Sequence, residues 1–326
     1  MKLTFEQIIS ATNGIVRTEQ NDLGLELHRF TREQEAFFYK THPLYCHQSF
    51  FNGYFGRNCR TCAGITLDFI SDAKEFRVEF GKVEYTNDAS VQLFDLFVED
   101  KLVKSYSTDE EIVYKLSGER QRLTLHFPNY VFPIVSEVDL KDATIFLPQK
   151  KQVDILFLGD SITQGGNAVH PSNTYVMRVA RNLDIGIINQ ASSGFIYDEG
   201  SIEKVCEPKI IVTAYGINDY GRKSMEQIEN QTTAFLKRLR TVYEDAKILS
   251  ILPLWTIWDD EVKDFGVGAR NCLKSVYEQY SDYTVDGHSM IPHDKKYLED
   301  EIVHPNDDGF EFYGNRLTQE LRTILI

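Results

Sequence analysis

Ile155-Leu156-Phe157-Leu158-Gly159-Asp160-Ser161-Ile162-Thr163-Gln164-Gly165 is the stretch on which the fold turns. Four apolar residues in a row show no alternation. Such a strand is buried on both faces, as in a parallel sheet covered by helices. Gly159-Asp160-Ser161 follows at once. A tight turn here lifts the Ser161 hydroxyl off the sheet edge and leaves the Ser161 backbone N–H free to bind an anion. A serine hydroxyl is a poor nucleophile until a base takes its proton. The triplet alone is an ordinary turn, so its meaning depends on what lies at the neighbouring strand ends.

Downstream, Val176, Val179, Ala180 and Leu183 recur at helical spacing. Compact apolar runs at Ile185–Ile188, Ile210–Ala214, Ile248–Leu252 and Tyr283–Val285 read as further buried strands. Helical stretches such as Met225–Tyr243 lie between them. Asp307–Ile326 is a last helix with Phe310, Tyr313, Leu317, Leu321 and Ile324 along one face. Strands alternating with helices predict a mostly parallel, doubly wound sheet.

Upstream the period changes. From about residue 60 to 148, segments such as Ile65–Phe69, Phe76–Phe80, Val91–Val98, Leu123–Phe127 and Ala143–Leu147 alternate apolar and polar residues. Asn87-Asp88 and Glu99-Asp100-Lys101 suit turns between them. That pattern predicts an all-β sandwich. Thr4-Phe5-Glu6-Gln7 fits a capping box opening a short leading helix. Pro148–Gln152 is a polar break. The 326 residues are more than one core usually organises. The expectation is therefore an N-terminal β-sandwich domain over residues 1–148 and an α/β domain over 152–326. No internal repeat or low-complexity tract interrupts either half.

In a doubly wound sheet, ligands sit beyond the carboxyl ends of the strands. Three further segments there carry chemistry-bearing residues. Asn189–Phe195 contains Gly194, which permits close backbone approach. Tyr215-Gly216-Ile217-Asn218-Asp219 places an amide side chain able to donate to a developing oxyanion. Glu301-Ile302-Val303-His304-Pro305 precedes the last helix and offers a histidine base with a carboxylate three residues upstream. Each alone has an inert reading, as a loop glycine, an asparagine turn or a surface histidine. Their order behind Ser161 gives them joint weight.

With those four segments in hand, residues 152–326 resemble the SGNH hydrolase superfamily, also called GDSL esterases. Its nucleophile block is similar to Gly159–Thr163, its glycine block to Ser193-Gly194, its G-x-N-D block to Gly216–Asp219 and its D-x-x-H-P block to Glu301–Pro305. The resemblance implies a flavodoxin-like three-layer α/β/α fold and metal-free ester hydrolysis without a cofactor. Ser161 would be the nucleophile and His304 the base. The Ser161 N–H, the Gly194 N–H and the Asn218 side chain would form the oxyanion hole. The usual acid position holds Glu301 instead of aspartate. Asp300 is a rival one residue earlier, and a Ser-His dyad held by a backbone carbonyl is a third arrangement. His288 and His293 lie nearby without the motif context.

A sandwich, jelly-roll-like, ahead of such a domain also resembles carbohydrate esterase family 2-like deacetylases, which implies an acetylated oligosaccharide substrate. Trp255, Trp258 and Tyr215 flank the motif loops and are the expected substrate contacts, with Phe195, Tyr197 and Tyr220 beside them. Tyr54, Phe55, Arg57 and Arg60 are candidates to reach the site from the first domain. That domain is also a candidate surface for homo-oligomerisation. A lipid-type or short-acyl esterase or thioesterase is the rival enzyme. A catalytically inactive carbohydrate-binding protein is the rival of another class.

The net charge of −14 opposes nucleic acid and anionic lipid as partners. Glu6, Gln7, Ser10 and Thr12 interrupt the N-terminal segment where a secretory signal needs an unbroken apolar run. No stretch is long enough to span a membrane. These features lead to an expected cytoplasmic location. Five cysteines, an odd number, fit reduced thiols. Cys59-Arg60-Thr61-Cys62, with Cys46 and His47 nearby, lacks the ligand set and spacing of a zinc site.

Overall fold

The computed structural model describes residues 1–41, 53–86, 91–220 and 222–325. Cys46, His47 and the turn at Asn87-Asp88 lie outside them. Five parallel strands form the sheet that carries the motif loops. In spatial order they are Gly186–Ala191, Val153–Gly159, Ile210–Ala214, Lys247–Ile251 and Tyr283–Val285. Alternate residues of Val153–Gly159 enter different cores. Leu156 and Leu158 join a cluster with Phe235, Leu236 and Leu239 of helix Met225–Val242. Ile155 and Phe157 join another with Val176 and Val179 of helix Tyr175–Leu183 and Phe310 and Leu317 of helix Asp307–Leu325. This is the expected three-layer α/β/α arrangement.

Two antiparallel sheets form the sandwich. One runs Thr12–Asn13, Thr66–Ser71, Gln121–His126, Leu93–Val98, Lys101–Ser107, with Phe146–Pro148 also on Thr66–Ser71. The other runs Arg17–Asn21, Gly24–His28, Val131–Lys141, Glu75–Tyr85, Ile112–Lys115. Their inner faces close over Phe76, Val78, Phe94, Leu96, Leu123, Leu125, Val138 and Leu140. The Thr4 capping box is present. Glu99 and Asp100 both take positive φ in the turn expected of them. Val131–Lys141 was not among the expected strands. It contains Pro133, and its pairing with Glu75–Tyr85 is irregular between Ile134 and Glu137. No helix among the described residues is long and apolar enough to cross a membrane.

The polar break at 148–152 separates the antiparallel sheets from the parallel one, but the apolar core does not divide there. Helices Arg32–Lys40 and Tyr54–Arg60 carry Phe38, Tyr54, Phe55 and Cys59 into the same cluster as Leu156, Ile188, Phe195 and Tyr215. Phe195 meets Phe38 edge-on at 4.7 Å and Phe55 at 5.2 Å. Cys59 and Cys62 are buried free thiols. Burial pushes the Cys62 thiol up to about 12, against the pull of Arg29.

Arg29 fastens the two halves. Its side chain is fully buried, and all five of its N–H donors are spent on oxygens. Nε donates to the Thr61 carbonyl at 2.6 Å. One terminal nitrogen reaches the carbonyls of Asn189 and Ala191, the other the Asn58 carbonyl and the Thr61 hydroxyl. Burial pulls its pKa down to about 10. A guanidinium supplies this many directed donors and an ammonium does not. Replacing Arg29 with Met strands buried carbonyls at about 1–3 kcal/mol each. The expected outcome is a loss of at least ~3 kcal/mol in urea unfolding. A change below ~1 kcal/mol would show that the seam does not depend on this side chain.

Candidate active site

Ser161 opens a single turn, Ser161–Gln164, directly after strand Val153–Gly159. The turn is tight enough to exclude any side chain at position 159, where a Cβ would sit 2.0 Å from Thr163 Oγ1. Asp160 caps the turn by accepting the Ile162 N–H at 3.1 Å. Ser161 itself is 8% exposed. Its Oγ lies 2.8 Å from His304 Nε2.

His304 comes from the loop between Leu298 and the last helix. That loop is pinned to itself by Glu299 N–H on the His304 carbonyl, 2.8 Å, and Asn306 N–H on the Tyr297 carbonyl, 3.0 Å. The other ring nitrogen, Nδ1, lies 2.6 Å from Asp300 Oδ2. Asp300 Oδ1 accepts the backbone N–H groups of Ile302, Val303 and His304 at 2.8–3.1 Å. Burial raises the Asp300 carboxyl, but the His304 hydrogen bond, its charge and the backbone donors outweigh that and hold it well below the usual carboxylate range. With Nδ1 donating to this carboxylate, Nε2 is left as the acceptor for the Ser161 hydroxyl.

The contact expected of Glu301 is therefore made by Asp300. Glu301 has φ 56° and points outward, its side chain 70% exposed and paired with Lys295 at 3.2 Å. The physical reason is the turn itself. A short aspartate side chain at its start satisfies three N–H groups with one oxygen and the histidine with the other. Glu301, bent through the left-handed region, carries its carboxylate away.

Ser161, Gly194, Asn218 and His304 all line one open cavity of about 540 Å³. Gly194 has φ 74°, which suits glycine in this loop. The Asn218 amide donates to the Phe195 carbonyl at 3.2 Å and has only a 3.5 Å contact to Asp160. The three groups expected to bind an oxyanion thus belong to residues that line the same cavity. The Ser193 N–H, next to Gly194, donates to Gln164 Oε1 at 2.7 Å. Gln164 Nε2 in turn faces Thr61 Oγ1 at 3.1 Å and the Asn129 carbonyl at 3.3 Å.

Among the expected substrate contacts, only Trp258 lines the cavity; it is 36% exposed. Trp255 is buried and stacks flat on His293 at 5.1 Å. Tyr215 is buried against Tyr197 at 4.9 Å and Phe235 at 5.7 Å. Both rings serve the core, since large aromatic surface near a sheet edge is most stably packed against other rings. Tyr54 lines the cavity and donates to Ser193 Oγ at 3.0 Å. Phe55 is core, and Arg60 lies over Phe132 at 4.3 Å with Glu26 and Glu84 nearby. Arg57 lines a separate cavity with Arg60 and Glu84. Tyr130, Asn167 and Arg222 complete the walls. Sequence reasoning missed these three. Arg222 follows Gly216–Asp219 closely enough to be found, whereas Tyr130 comes from the sandwich and has no local signal.

Residues 157–312 match the GDSL-like lipase/acylhydrolase family. No curated protein matches the chain. Among solved structures, the salicylyl-acyltransferase SsfX3 from a tetracycline biosynthetic pathway superposes with a TM-score of 0.80 at 17% identity, covering 97% of this chain and 94% of that one. A carbohydrate esterase family 2 enzyme from Corynascus thermopiles (Myceliophthora fergusii) gives 0.64 at 15% identity over 81% and 95% of the two chains. One from Clostridium thermocellum, in complex with cellohexaose, gives 0.60 at 17% identity over 81% and 94%. At these identities the likeness is one of fold.

Asp160 gives the site a pH signature. Burial pushes its carboxyl up to about 7, against the Ile162 N–H and the His304 charge. Its unfolded value is near 4. The stability tied to this raised group is therefore complete below about pH 4 and is lost as pH rises through about 7. Asp160→Asn is expected to flatten the fall in urea midpoint between about pH 4 and 7. Parallel pH profiles for the two proteins would refute the assignment.

Proposed function

We propose that this chain, through its GDSL-like lipase/acylhydrolase domain, is a serine esterase that removes small acyl groups, acetyl foremost, from carbohydrate. The observation that carries the reading is the hydrogen-bonded line from Ser161 Oγ through His304 to Asp300, opening on a cavity that also holds Gly194 and Asn218.

Ser161 Oγ attacks the ester carbonyl carbon as its proton passes to His304 Nε2. Asp300 holds the ring in place and stabilises the imidazolium that forms. The carbonyl oxygen becomes an oxyanion and accepts from the Ser161 N–H, the Gly194 N–H and the Asn218 amide. Collapse breaks the ester bond, and the sugar oxygen leaves with the proton from His304. A water then gives its proton to His304 and attacks the acyl-enzyme carbonyl. The second tetrahedral species releases the carboxylic acid, and the proton returns to Ser161. These steps use no metal and no cofactor.

The carbohydrate assignment draws on two supports. Tyr54, Tyr130 and Trp258 line the cavity together with the polar groups of Asn167 and Arg222. Flat rings with a few convergent polar groups suit a sugar ring. The neighbours of like fold include family 2 carbohydrate esterases. The same acyl-enzyme could pass its acyl group to an alcohol in place of water, a reaction class represented by the acyltransferase of like fold.

Ser161→Ala is expected to lower p-nitrophenyl acetate turnover by about 10⁴ or more. Asp300→Ala should cost about 10³–10⁴, whereas Glu301→Ala should stay within about twofold of wild type. Equal losses for Asp300→Ala and Glu301→Ala would overturn the triad. Acetate release from acetylated xylo- or manno-oligosaccharides is the substrate test. Rates that rise with acyl length while acetylated sugars stay untouched would replace the carbohydrate reading with a lipid-type one. Saccharide binding without any turnover would identify a binding protein. Transfer to an added alcohol in preference to water would identify an acyltransferase.

A further inference from the structure

A second cavity, of about 480 Å³, lies in the seam between the sandwich and the α/β layers, away from Ser161. Its floor is the outer face of the strands Thr66–Ser71 and Gln121–His126, and its far wall is the C-terminal turn of helix Tyr175–Leu183 with Gly186 and Ile187. Gly186 and Ile187 begin the edge strand whose other end leads into Ser193 and Gly194. The two cavities therefore open near opposite ends of one strand, about 16 Å of extended chain apart.

The walls are chemically unusual for a packing defect. Thr66, Asp68 and Thr124 present polar side chains at alternate positions on the adjacent strands. Phe97 adds an aromatic ring, with His126 tilted against it at 5.1 Å. His126 is 3% exposed, and its Nδ1 has no hydrogen-bond partner among the described residues. Burial, and then the charge of Arg181, pull its pKa down to about 3, so the ring is neutral. A buried unpaired imidazole nitrogen costs free energy unless a ligand or water satisfies it.

The charges around the cavity cancel. Asp68, Asp100 and Asp184 face Arg122, Lys151 and Arg181. Arg122 holds Asp68 through two bonds of 2.9 and 2.6 Å, and Lys151 holds Asp184 at 2.6 Å. An anion would have to compete with carboxylates already in place. A neutral ligand rich in hydroxyls would instead find fixed acceptors, fixed donors, threonine hydroxyls and one apolar ring together. The volume suits a molecule of one or two sugar rings.

We propose that this seam cavity is a second, non-catalytic binding site for a neutral mono- or disaccharide, read by Asp68, Arg122, Thr124 and His126 and bounded by Phe97. Occupancy there places a saccharide against the His126 ring and holds it on the same chain as the Ser161 cavity. The site stands apart from the esterase reading, because none of its lining residues lines the Ser161 cavity.

The chain has four methionines, and Met177 lines this cavity while none lines the other. Protein labelled at the methionine methyl carbons is titrated with xylobiose and cellobiose and followed by NMR. The expected result is a saturable shift of the Met177 methyl with Met1, Met225 and Met290 unmoved. His126→Phe, which keeps a ring and removes its nitrogens, is expected to weaken that binding about ten-fold. Thr124→Trp, on the half-buried outer face of strand Gln121–His126, should do the same by filling the cavity from outside the core. Thermal unfolding no lower than that of wild type and unchanged p-nitrophenyl acetate turnover serve as controls for both variants. No Met177 response to either sugar overturns the proposal, as does a response that survives both variants. A Met177 shift with inorganic phosphate and none with sugars overturns the choice of ligand. If p-nitrophenyl acetate is not turned over by wild type, the esterase reading fails, and the Met177 titration still decides the seam site.

Discussion

The buried guanidinium of Arg29 is the constraint on which the rest of this structure depends. Among the described residues, none of its hydrogen-bond partners is a carboxylate. Its donors are spent on carbonyls at the end of helix Tyr54–Arg60 and on those at the end of strand Gly186–Ala191. Those last carbonyls directly precede Ser192–Gly194. A charge at this depth is tolerated only when every donor is satisfied. The requirement fixes the sandwich side of the seam against the loop that supplies one of the proposed oxyanion donors. Gln164 repeats the device at shorter range, tying the Ser193 N–H to Thr61 and Asn129. The N-terminal residues thus do more than sit beside the site. They set the height and angle of one of its walls.

This explains why most of the proposed catalytic line could be found from the sequence while the cavity around it could not. Ser161, Gly194, Asn218 and His304 sit at strand ends or before the last helix, and local pattern locates strand ends. The parallel sheet was legible because its strands are unbroken apolar runs. The walls contributed by Tyr54 and Tyr130 depend on contacts with Ser193 and Ser161, 139 and 31 residues away in the chain, beyond the reach of a local pattern. Strand Val131–Lys141 was hidden by Pro133 and by the irregular pairing after Ile134.

The acid shows a finer limit. A motif is a spacing, and the spacing three before His304 selects Glu301. The turn selects by chemistry instead. Asp300 is the residue whose short carboxylate can serve three backbone donors and an imidazole at once. Trp255 and Tyr215 failed as expected contacts for a related reason. Position beside a motif does not decide which way a ring turns, and both turn toward other aromatic rings.

The shared core also has a consequence for synthesis on the ribosome. Phe30, Phe38, Tyr54 and Phe55 pack against Phe195 and Tyr215, which emerge some 140–185 residues later. At a typical ~5–20 residues per second, these rings wait on the order of 10 s for their partners. The sandwich sheets can close in that interval, because all their strands lie before residue 149. Helices Arg32–Lys40 and Tyr54–Arg60, the second of which brings Tyr54 to the Ser161 cavity, cannot. The nascent chain therefore carries an unpaired aromatic face through much of its elongation, and it is at that stage that chaperone capture or misassociation has its largest opening.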